Sequence, residues 1–229
     1  MADKPSRALV LYGDGLARSI HTHLHSFTSR ACCGFLSLPE TEDARIVREF
    51  AELVDASEAT ISERFMGMKA AVITLGFTVL ELNEVASELF KLLGFQEGKT
   101  LESSQFDLVI LHVLVNRLVG NLVQMAHPGT EVGSRLHMSV LLSYGAVREN
   151  NSKLSLIFPR QSYTIKEGNV RQHCPILVAQ WQNAVTRKDM AEAYSYEDFK
   201  EHGANLVIPT DRFLHEVAFK LWKAPKYGA

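Results

Sequence analysis

The sequence predicts an α/β protein with a mainly parallel sheet and helices on both faces of that sheet. Two observations lead to this prediction. Short runs of consecutive apolar residues recur along the chain, and such runs are typical of strands that are buried on both faces. Segments with the 3.6-residue period of amphipathic helices lie between them. A chain that alternates strand and helix in this way builds a parallel sheet, and we expect one α/β domain over residues 1–229.

Six apolar runs are the predicted strands. Most of them are rich in Val, Ile and Leu at consecutive positions rather than at alternate ones, so helices are expected above and below the sheet. The runs cover residues 8–12, 70–75, 106–113, 138–144, 154–158 and 175–181.

Four segments have the helical period. Three of them cover residues 43–55, 80–93 and 115–125. The second ends at Gly94, because glycine is the residue that most easily adopts the backbone conformation found after a helix C-terminus. The fourth helix is predicted to begin at Thr210, whose hydroxyl can cap the amides of the first turn.

The charge balance argues against two classes of partner. With 24 Lys and Arg against 26 Asp and Glu, the chain has no overall attraction to nucleic acid or to anionic lipid. No segment approaches the roughly 18 apolar residues of a membrane span. Three cysteines, Cys32, Cys33 and Cys174, show no metal-ligand spacing and predict reduced thiols. We therefore expect a cytoplasmic protein, with the nucleus as the alternative location.

Asp14 is the first candidate site residue. It stands between Gly13 and Gly15 where the first strand ends, and ligands of open α/β sheets bind beyond the carboxyl ends of the strands. Its carboxylate is therefore a candidate metal ligand. A plain Asp–Gly turn is the alternative. The dinucleotide-binding pattern is excluded, because its third glycine would fall on Arg18.

His21, His23 and His25 are the second candidate site. On a strand, their alternate spacing would place three imidazoles on one face, where they could bind Zn²⁺ and leave a fourth position open. On a helix the same residues would point in different directions around the axis. Surface histidines without a metal are the alternative interpretation.

Residues 28–34 are the third candidate, because they are small and carry both hydroxyl and thiol groups. Thr28 and Ser29 are candidate nucleophiles, although no nucleophile-elbow pattern surrounds them. A lowered pKa beside Arg30 would make Cys32 or Cys33 reactive, whereas unreactive buried thiols are the alternative.

His173 is the fourth candidate. It lies in a polar cluster with Arg171, directly before the strand predicted over residues 175–181. A histidine that enters a buried strand is either a ligand at the edge of the sheet or a hydrogen-bonded core group.

Four stretches together resemble the alkaline-phosphatase superfamily, in particular its cofactor-independent phosphoglycerate mutases. Residues 8–16 (ALVLYGDGL) resemble the first strand and the metal-binding Asp of that family. Residues 67–73, with the helix that follows, and residues 106–113 (FDLVILHV) are similar to later segments in the expected order. Residues 173–177 (HCPIL) and the chain end from residue 196 are similar to its His-x-Pro strand and C-terminal part. The resemblance implies an alkaline-phosphatase-like fold, with Asp14 and His173 as metal ligands.

The chain departs from the family at most of the other ligand positions. Family members hold two divalent metals with several Asp and His residues, and a Ser or Thr nucleophile attacks the phosphoryl group. After the strand ending at Val113, where the family has an Asp and a His in close succession, the chain reads LVNRL over residues 114–118. Where the family has an adjacent Asp–His pair after a later strand, it reads FPRQ over residues 158–161. The resemblance places the nucleophile near Thr28 or Ser29. The chain is also shorter than typical members, and we expect it to lack their inserted second domain.

These departures predict a non-catalytic binding or scaffold protein on an alkaline-phosphatase-like fold. We expect its partner to be a second copy or another protein, on apolar surface that the missing domain would leave exposed. The alternative is a divergent metal-dependent phosphoesterase or phosphomutase-like enzyme, in which His21, His23, His25 and His173 join Asp14 to rebuild a site. Only this alternative requires a cofactor, a divalent metal.

Overall fold

One large sheet organises the part of the chain that the structure describes. The structure is a computed structural model, and it describes residues 4–15, 17, 22–40, 46–56, 59–74, 82–112, 116–145, 170–171, 174–183, 187–203 and 206–226. The strands are β1 (Arg7–Gly13), β2 (Cys32–Ser37), β3 (Ala70–Thr74), β4 (Phe95–Gln96), β5 (Lys99–Thr100), β6 (Leu108–His112), β7 (Leu136–Leu142), β8 (Ile176–Gln182) and β9 (Leu206–Pro209). The helices are α1 (Thr22–Thr28), α2 (Ile46–Leu53), α3 (Ile61–Arg64), α4 (Leu82–Leu92), α5 (Asn116–Met125), α6 (Glu131–Arg135), α7 (Tyr196–His202) and α8 (Phe213–Lys220), the last preceded by a 3₁₀ turn at Thr210–Arg212.

The sheet is mainly parallel. Within the described ranges, seven strands pair in the order β3-β6-β1-β7-β8-β2-β9, and β4 and β5 form a separate hairpin. Strand β8 alone among the seven runs antiparallel to its two neighbours, β7 and β2. Because β8 follows β7 along the chain and starts at the edge where β7 ends, this pairing needs no crossover. The prediction of a mainly parallel α/β sheet is confirmed, with one reversed strand that the sequence did not indicate.

Helices cover both faces of the sheet, as predicted. On the first face, Leu9 and Leu11 of β1 belong to a core cluster that also includes side chains of α1, α4, α5 and α7. On the second face, Ala8, Val10 and Tyr12 belong to a cluster with side chains of α2 and α8. Every residue of β1 is buried, which explains its continuous apolar sequence. No helix in the described ranges is long and apolar enough to cross a membrane.

Most of the predicted elements are present. The strands predicted over residues 8–12, 70–75, 106–113, 138–144 and 175–181 correspond to β1, β3, β6, β7 and β8, and the predicted helices correspond to α2, α4, α5 and α8. Gly94 follows α4 with a φ of +77°, as expected for a residue after a helix end. The run over residues 154–158 lies outside the described residues.

One prediction about local structure is wrong, that of a helix cap at Thr210. Residues 28–34 join the end of α1 to the buried strand β2, and neither element is among the predicted ones. Helix α1 buries only Leu24 and Phe27 as apolar anchors, too few to show a helical period. Thr210 does not cap a helix. Its hydroxyl instead donates to the carbonyl of Ser37 at 2.8 Å and so ties the 3₁₀ turn to β2.

A buried histidine lies on the second face beneath α8. The side chain of His137 in β7 has no solvent exposure. The Nε2 atom of His137 and the hydroxyl of Ser139 are hydrogen-bonded at 3.1 Å, and Nδ1 of His137 has no partner at normal hydrogen-bond geometry. Burial, together with the positive charge of Lys220, lowers the pKa of His137 well below its ordinary value. The folded protein therefore holds this imidazole in the neutral form.

We expect His137 to make the protein acid-sensitive. Because its folded-state pKa lies below the unfolded value of about 6.5, the unfolded chain binds one more proton below pH 6.5, and stability falls there by about 1.4 kcal/mol per pH unit. In His137→Leu, the free energy of unfolding measured with urea should fall less steeply between pH 7 and pH 5, by that same amount per pH unit. His202→Gln is the control with opposite sign, since a hydrogen bond to Asp198 raises the pKa of His202. Identical pH profiles for His137→Leu and the wild type would contradict this account.

Candidate functional site

The carboxyl ends of three adjacent parallel strands bring polar side chains together. Strand β1 lies between β6 and β7. Asp14 follows β1, His112 is the last residue of β6 and Ser143 follows β7. Because parallel strands end at the same edge of a sheet, these three residues are neighbours although they are far apart in sequence. We call this edge, together with Tyr12, Glu49 and Arg171, the carboxyl-edge site.

Asp14 is paired with His112. The Nε2 atom of His112 lies in direct hydrogen-bonding contact with Oδ2 of Asp14. Phe50 of α2 stacks on the imidazole, with ring centroids 4.7 Å apart and planes inclined by 10°. The Asp14 and His112 side chains both retain 23% exposure, so solvent or a ligand can reach the pair from one side.

Ser143 holds the turn that carries Asp14. Its Oγ accepts hydrogen bonds from the backbone amides of Gly15 at 3.2 Å and Gly145 at 3.3 Å, and its own amide donates to the carbonyl of Gly13 at 3.0 Å. Gly15 has a φ of +67°, a conformation that glycine adopts without strain. The position of the Asp14 carboxylate is therefore fixed by the end of β7.

A second ion pair closes the site from the side of α2. Arg171 Nη2 donates to Glu49 Oε1 at 2.9 Å, and their side chains are only 11% and 5% exposed. The same guanidinium also donates to the carbonyl of Cys174, directly before β8. Burial raises the pKa of Glu49, and the positive charge of Arg171 opposes that shift. Arg171 thus binds a carboxylate of its own chain and does not present a free cation to an anion.

The carboxyl-edge site contains buried oxygen atoms that lack a hydrogen-bond partner. Three buried oxygen atoms have no partner at normal hydrogen-bond geometry: Asp14 Oδ1, Glu49 Oε2 and the Tyr12 hydroxyl. Burial and the charges of the two carboxylates raise the pKa of Tyr12, so it stays a neutral phenol. Buried polar atoms without partners are rare. The arrangement is therefore suited to a cation or to a ligand that donates hydrogen bonds.

Two of the other predicted histidine ligands, His23 and His25, lie on α1. This segment is a helix rather than the strand on which alternate imidazoles would share one face. The imidazole of His23 packs against Gly120 of α5, where an added Cβ would lie 2.7 Å from its Nδ1. His25 Nδ1 accepts the amide of Tyr194 at 2.9 Å. His21 and His173 lie outside the described residues.

The hydroxyl candidates are also separate from Asp14. Thr28 is buried, and its hydroxyl donates to the carbonyls of His25 and Ala191, while Ser29 Oγ donates to the carbonyl of Ser26. The carbonyl of Thr28 lies beside the thiol of Cys33 in β2. Two strands, β7 and β8, separate β2 from β1, which corresponds to roughly 14 Å across the sheet.

The thiols are not activated. Burial and the negative charge of Asp189 raise the pKa of Cys32, and the same two causes raise that of Cys33. The cation beside Cys32 is Arg187 rather than Arg30, and Arg187 is already paired with Asp189 at 2.6 Å. The expectation of a lowered thiol pKa is therefore wrong, and the alternative of unreactive thiols agrees with the structure.

Asn116 has a structural role at the start of α5, shortly after β6 ends. Its Oδ1 accepts the backbone amides of His23 at 3.0 Å and Leu24 at 3.2 Å and thus caps the start of α1. Among the residues that the structure describes, no group of three or more His, Cys, Asp or Glu side chains has the arrangement of a metal site.

Sequence reasoning missed most of the carboxyl-edge site. Asp14 was a candidate, but His112, Ser143 and Glu49 were not. The sequence contains a signal for two of these residues. His112 and Ser143 stand at the ends of predicted strands, and parallel strands bring the side chains at their carboxyl ends close together. Glu49 had no such signal, since the docking of a surface helix against a sheet edge depends on tertiary contacts.

Comparisons with protein-family models, with curated proteins and with solved structures found no match to this chain. The resemblance to the alkaline-phosphatase superfamily therefore stays a prediction, and the function has to be argued from the site itself.

We expect Arg171→Met to destabilise the protein by about 3 kcal/mol at pH 7, because removing one partner leaves the Glu49 carboxylate buried without its counter-charge. The stability lost in Arg171→Met should become smaller toward pH 5. The fold prefers the neutral form of Glu49, whose pKa is raised, so protonation relieves the defect. Urea unfolding at both pH values measures the effect.

The double variant Glu49→Gln/Arg171→Met should regain part of the lost stability, since it removes both charges. Lys91→Met is the matched control, because Lys91 and Glu88 form an exposed pair that should contribute little. A full loss in the double variant, or none in Arg171→Met, would show that the pair is not the source of the effect.

Proposed function

We propose that this chain is a non-catalytic binding or scaffold protein on an alkaline-phosphatase-like fold. The observation that supports this proposal is the pair formed by Asp14 and His112 at the carboxyl-edge site. One of the two carboxylate oxygens of Asp14, Oδ2, is already bound by an imidazole of the neighbouring strand. A divalent ion would have to compete with this contact.

The charges of the site also argue against a phosphoester as the bound group. Asp14 and Glu49 are carboxylates, and the one guanidinium described beside them, that of Arg171, is bound to Glu49. An anionic phosphoryl group would meet two like charges, which disfavours its binding unless a metal ion neutralises them.

The positions of the candidate nucleophiles support the same proposal. A phosphoryl group at Asp14 would have to lie within bonding distance of a nucleophilic hydroxyl. Thr28 ends α1 shortly before β2, a strand that β7 and β8 separate from β1, and its hydroxyl is already bonded to two carbonyls. Ser143, the hydroxyl that does lie at the site, holds the turn of Asp14 in place.

The unpartnered acceptors indicate what the site would bind. Asp14 Oδ1, Glu49 Oε2 and the hydroxyl of Tyr12 offer three oxygen atoms, and Phe50 adds an aromatic ring beside His112. An ammonium or another N–H donor would satisfy these oxygen atoms and would gain from the aromatic surface. The proposed ligand is therefore a cationic group rather than a phosphate.

A metal-dependent phosphoesterase is the second candidate, and one observation favours it. Asp14 Oδ1 and Glu49 Oε2 are hard oxygen donors without partners, the type of ligand that divalent cations prefer. Asp14 and Glu49 would hold such an ion, and the ion would supply charge neutralisation for a phosphoryl group.

The first test is the metal content and turnover of protein purified without chelator. We expect clearly less than one equivalent of metal by elemental analysis, and no release of p-nitrophenol from its phosphate ester above the buffer rate with added Mn²⁺ or Zn²⁺. A stoichiometric metal that is lost in Asp14→Asn, together with metal-dependent turnover, would establish the second candidate instead.

His112→Ala tests the observation that supports the first candidate. Removing the imidazole frees the Asp14 carboxylate, so titration calorimetry should show tighter Mn²⁺ binding to His112→Ala than to the wild type. The double variant Asp14→Asn/His112→Ala should lose this gain. Equal Mn²⁺ affinity in the wild type and His112→Ala would show that the pair does not block the site.

A further inference from the structure

We propose that the free edge of the sheet at β3 pairs with the same edge of a second copy of this chain, antiparallel and centred on Val72. This inference does not depend on the carboxyl-edge site, which lies at the ends of other strands. Four features of the edge support it: its composition, the direction of its backbone groups, its symmetry and its charges.

Among the described strands, none pairs with the outer side of β3. Strand β3 is the outermost strand at one side of the described sheet and pairs only with β6 there. Its sequence, AAVIT, contains no charge and no proline, the usual devices that keep edge strands apart. Val72 is 48% exposed. At the opposite side of the described sheet, β9 has four residues, ends at Pro209 and buries Val207 and Ile208.

The backbone hydrogen bonds show which groups of β3 point outward. The carbonyl of Lys69 accepts the amides of Asp107 and Leu108, and its amide donates to the Asp107 carboxylate. Residue 69 thus faces β6, and because successive residues alternate along a strand, residues 71 and 73 do so as well. Ala70, Val72 and Thr74 direct their N–H and C=O groups away from the sheet.

These outward groups match those of a second copy. In an antiparallel pair centred on Val72, the two Val72 residues exchange both of their backbone hydrogen bonds, and Ala70 of each copy does the same with Thr74 of the other. A two-fold axis perpendicular to the sheet keeps the same face upward in both copies, so the two sheets become one. The exposed Val72 side chains then lie side by side.

Side chains beside the edge complete the match. Ile73 faces a groove between β3 and α4, with a volume of about 220 Å³, whose other lining residues are Glu84, Val85, Glu88, Leu89, Leu92 and Leu111. In the proposed register, Ile73 of one copy lies opposite Ala71 of the other on this face. Apolar surface on each copy is therefore covered by apolar surface of its partner.

The charges are complementary under the same symmetry. Lys69 is exposed at the start of β3, and Glu84 is exposed near the start of α4. The amide of Phe106 donates to the carbonyl of Leu92 at the end of α4, and the amide of Asp107 donates to the carbonyl of Lys69 at the start of β3. The end of α4 therefore lies toward the start of β3. Glu84 consequently lies toward the carboxyl end of β3, where the antiparallel pairing brings Lys69 of the second copy.

These features favour a second copy over a foreign strand, because one chain supplies both the apolar edge and its charged complement. The test is the mass of the full chain by light scattering and sedimentation at increasing concentration. We expect a dimer at twice the chain mass of 25.6 kDa. A monomer at concentrations of several hundred micromolar would overturn the proposal.

Val72→Pro is the decisive variant. It removes an N–H that points outward, so the pairing of β3 with β6 is kept, and proline is tolerated at an edge of this kind. We expect the dimer dissociation constant to rise roughly 30-fold through the loss of the two central hydrogen bonds, with an unchanged melting temperature at concentrations where both proteins are monomeric. Val72→Thr is the control and should dimerise like the wild type.

Reversing the charges of Lys69 and Glu84 tests the proposed register between the two copies of β3 and leaves the backbone hydrogen-bonding groups unchanged. Lys69→Glu and Glu84→Lys should each weaken the dimer roughly fivefold, and the double variant Lys69→Glu/Glu84→Lys should restore it. This pair of variants keeps the proposal testable if Val72→Pro fails to fold. A dimer that neither Val72→Pro nor the charge reversals weaken would use another surface and would overturn the proposal.

Discussion

The complete burial of β1 is the constraint on which the rest of the structure depends. A strand with no exposed residue on either face needs hydrogen-bonded strands at both sides and helices above and below it. Strands β6 and β7 provide the lateral pairing, and the helices of the two core clusters provide the layers. Because both neighbours run parallel to β1, the three strands end at one edge, and this shared edge creates the carboxyl-edge site.

The sequence was informative where burial is strong and continuous. The apolar runs predicted five strands of the described sheet and the helical periods predicted four helices, because both patterns follow from which side chains must avoid water. The signal was weak where an element is short or polar. Helix α1 contains two histidines and depends on a cap from Asn116, which lies 94 positions after Thr22. The reversed direction of β8 had no local signature, since strand direction is decided by pairing partners.

The site was less predictable than the fold for a related reason. Asp14 could be found because a glycine-flanked acid after a buried strand is a local pattern. Its partners could not, because the contacts of His112, Ser143 and Glu49 each join segments that are distant in sequence. The local sequence around Thr28, Cys32 and Cys33 also gave no guide to their environment, although it made them candidate nucleophiles. Their environment is set by α1, β2 and the segment around Asp189. The Thr28 hydroxyl donates to a carbonyl of this segment, and burial together with the charge of Asp189 raises the pKa of both thiols.

The reversal of β8 has a consequence for how this architecture can vary. The chain leaves β7 at the carboxyl edge and enters β8 at that same edge, where Leu142 pairs with Leu177. Because these two ends lie side by side, the length of chain between them does not set the register of the β7–β8 pair. The reversal of β8 therefore separates register from chain length at this one place, whereas a parallel pair always requires a crossover long enough to return to the opposite edge.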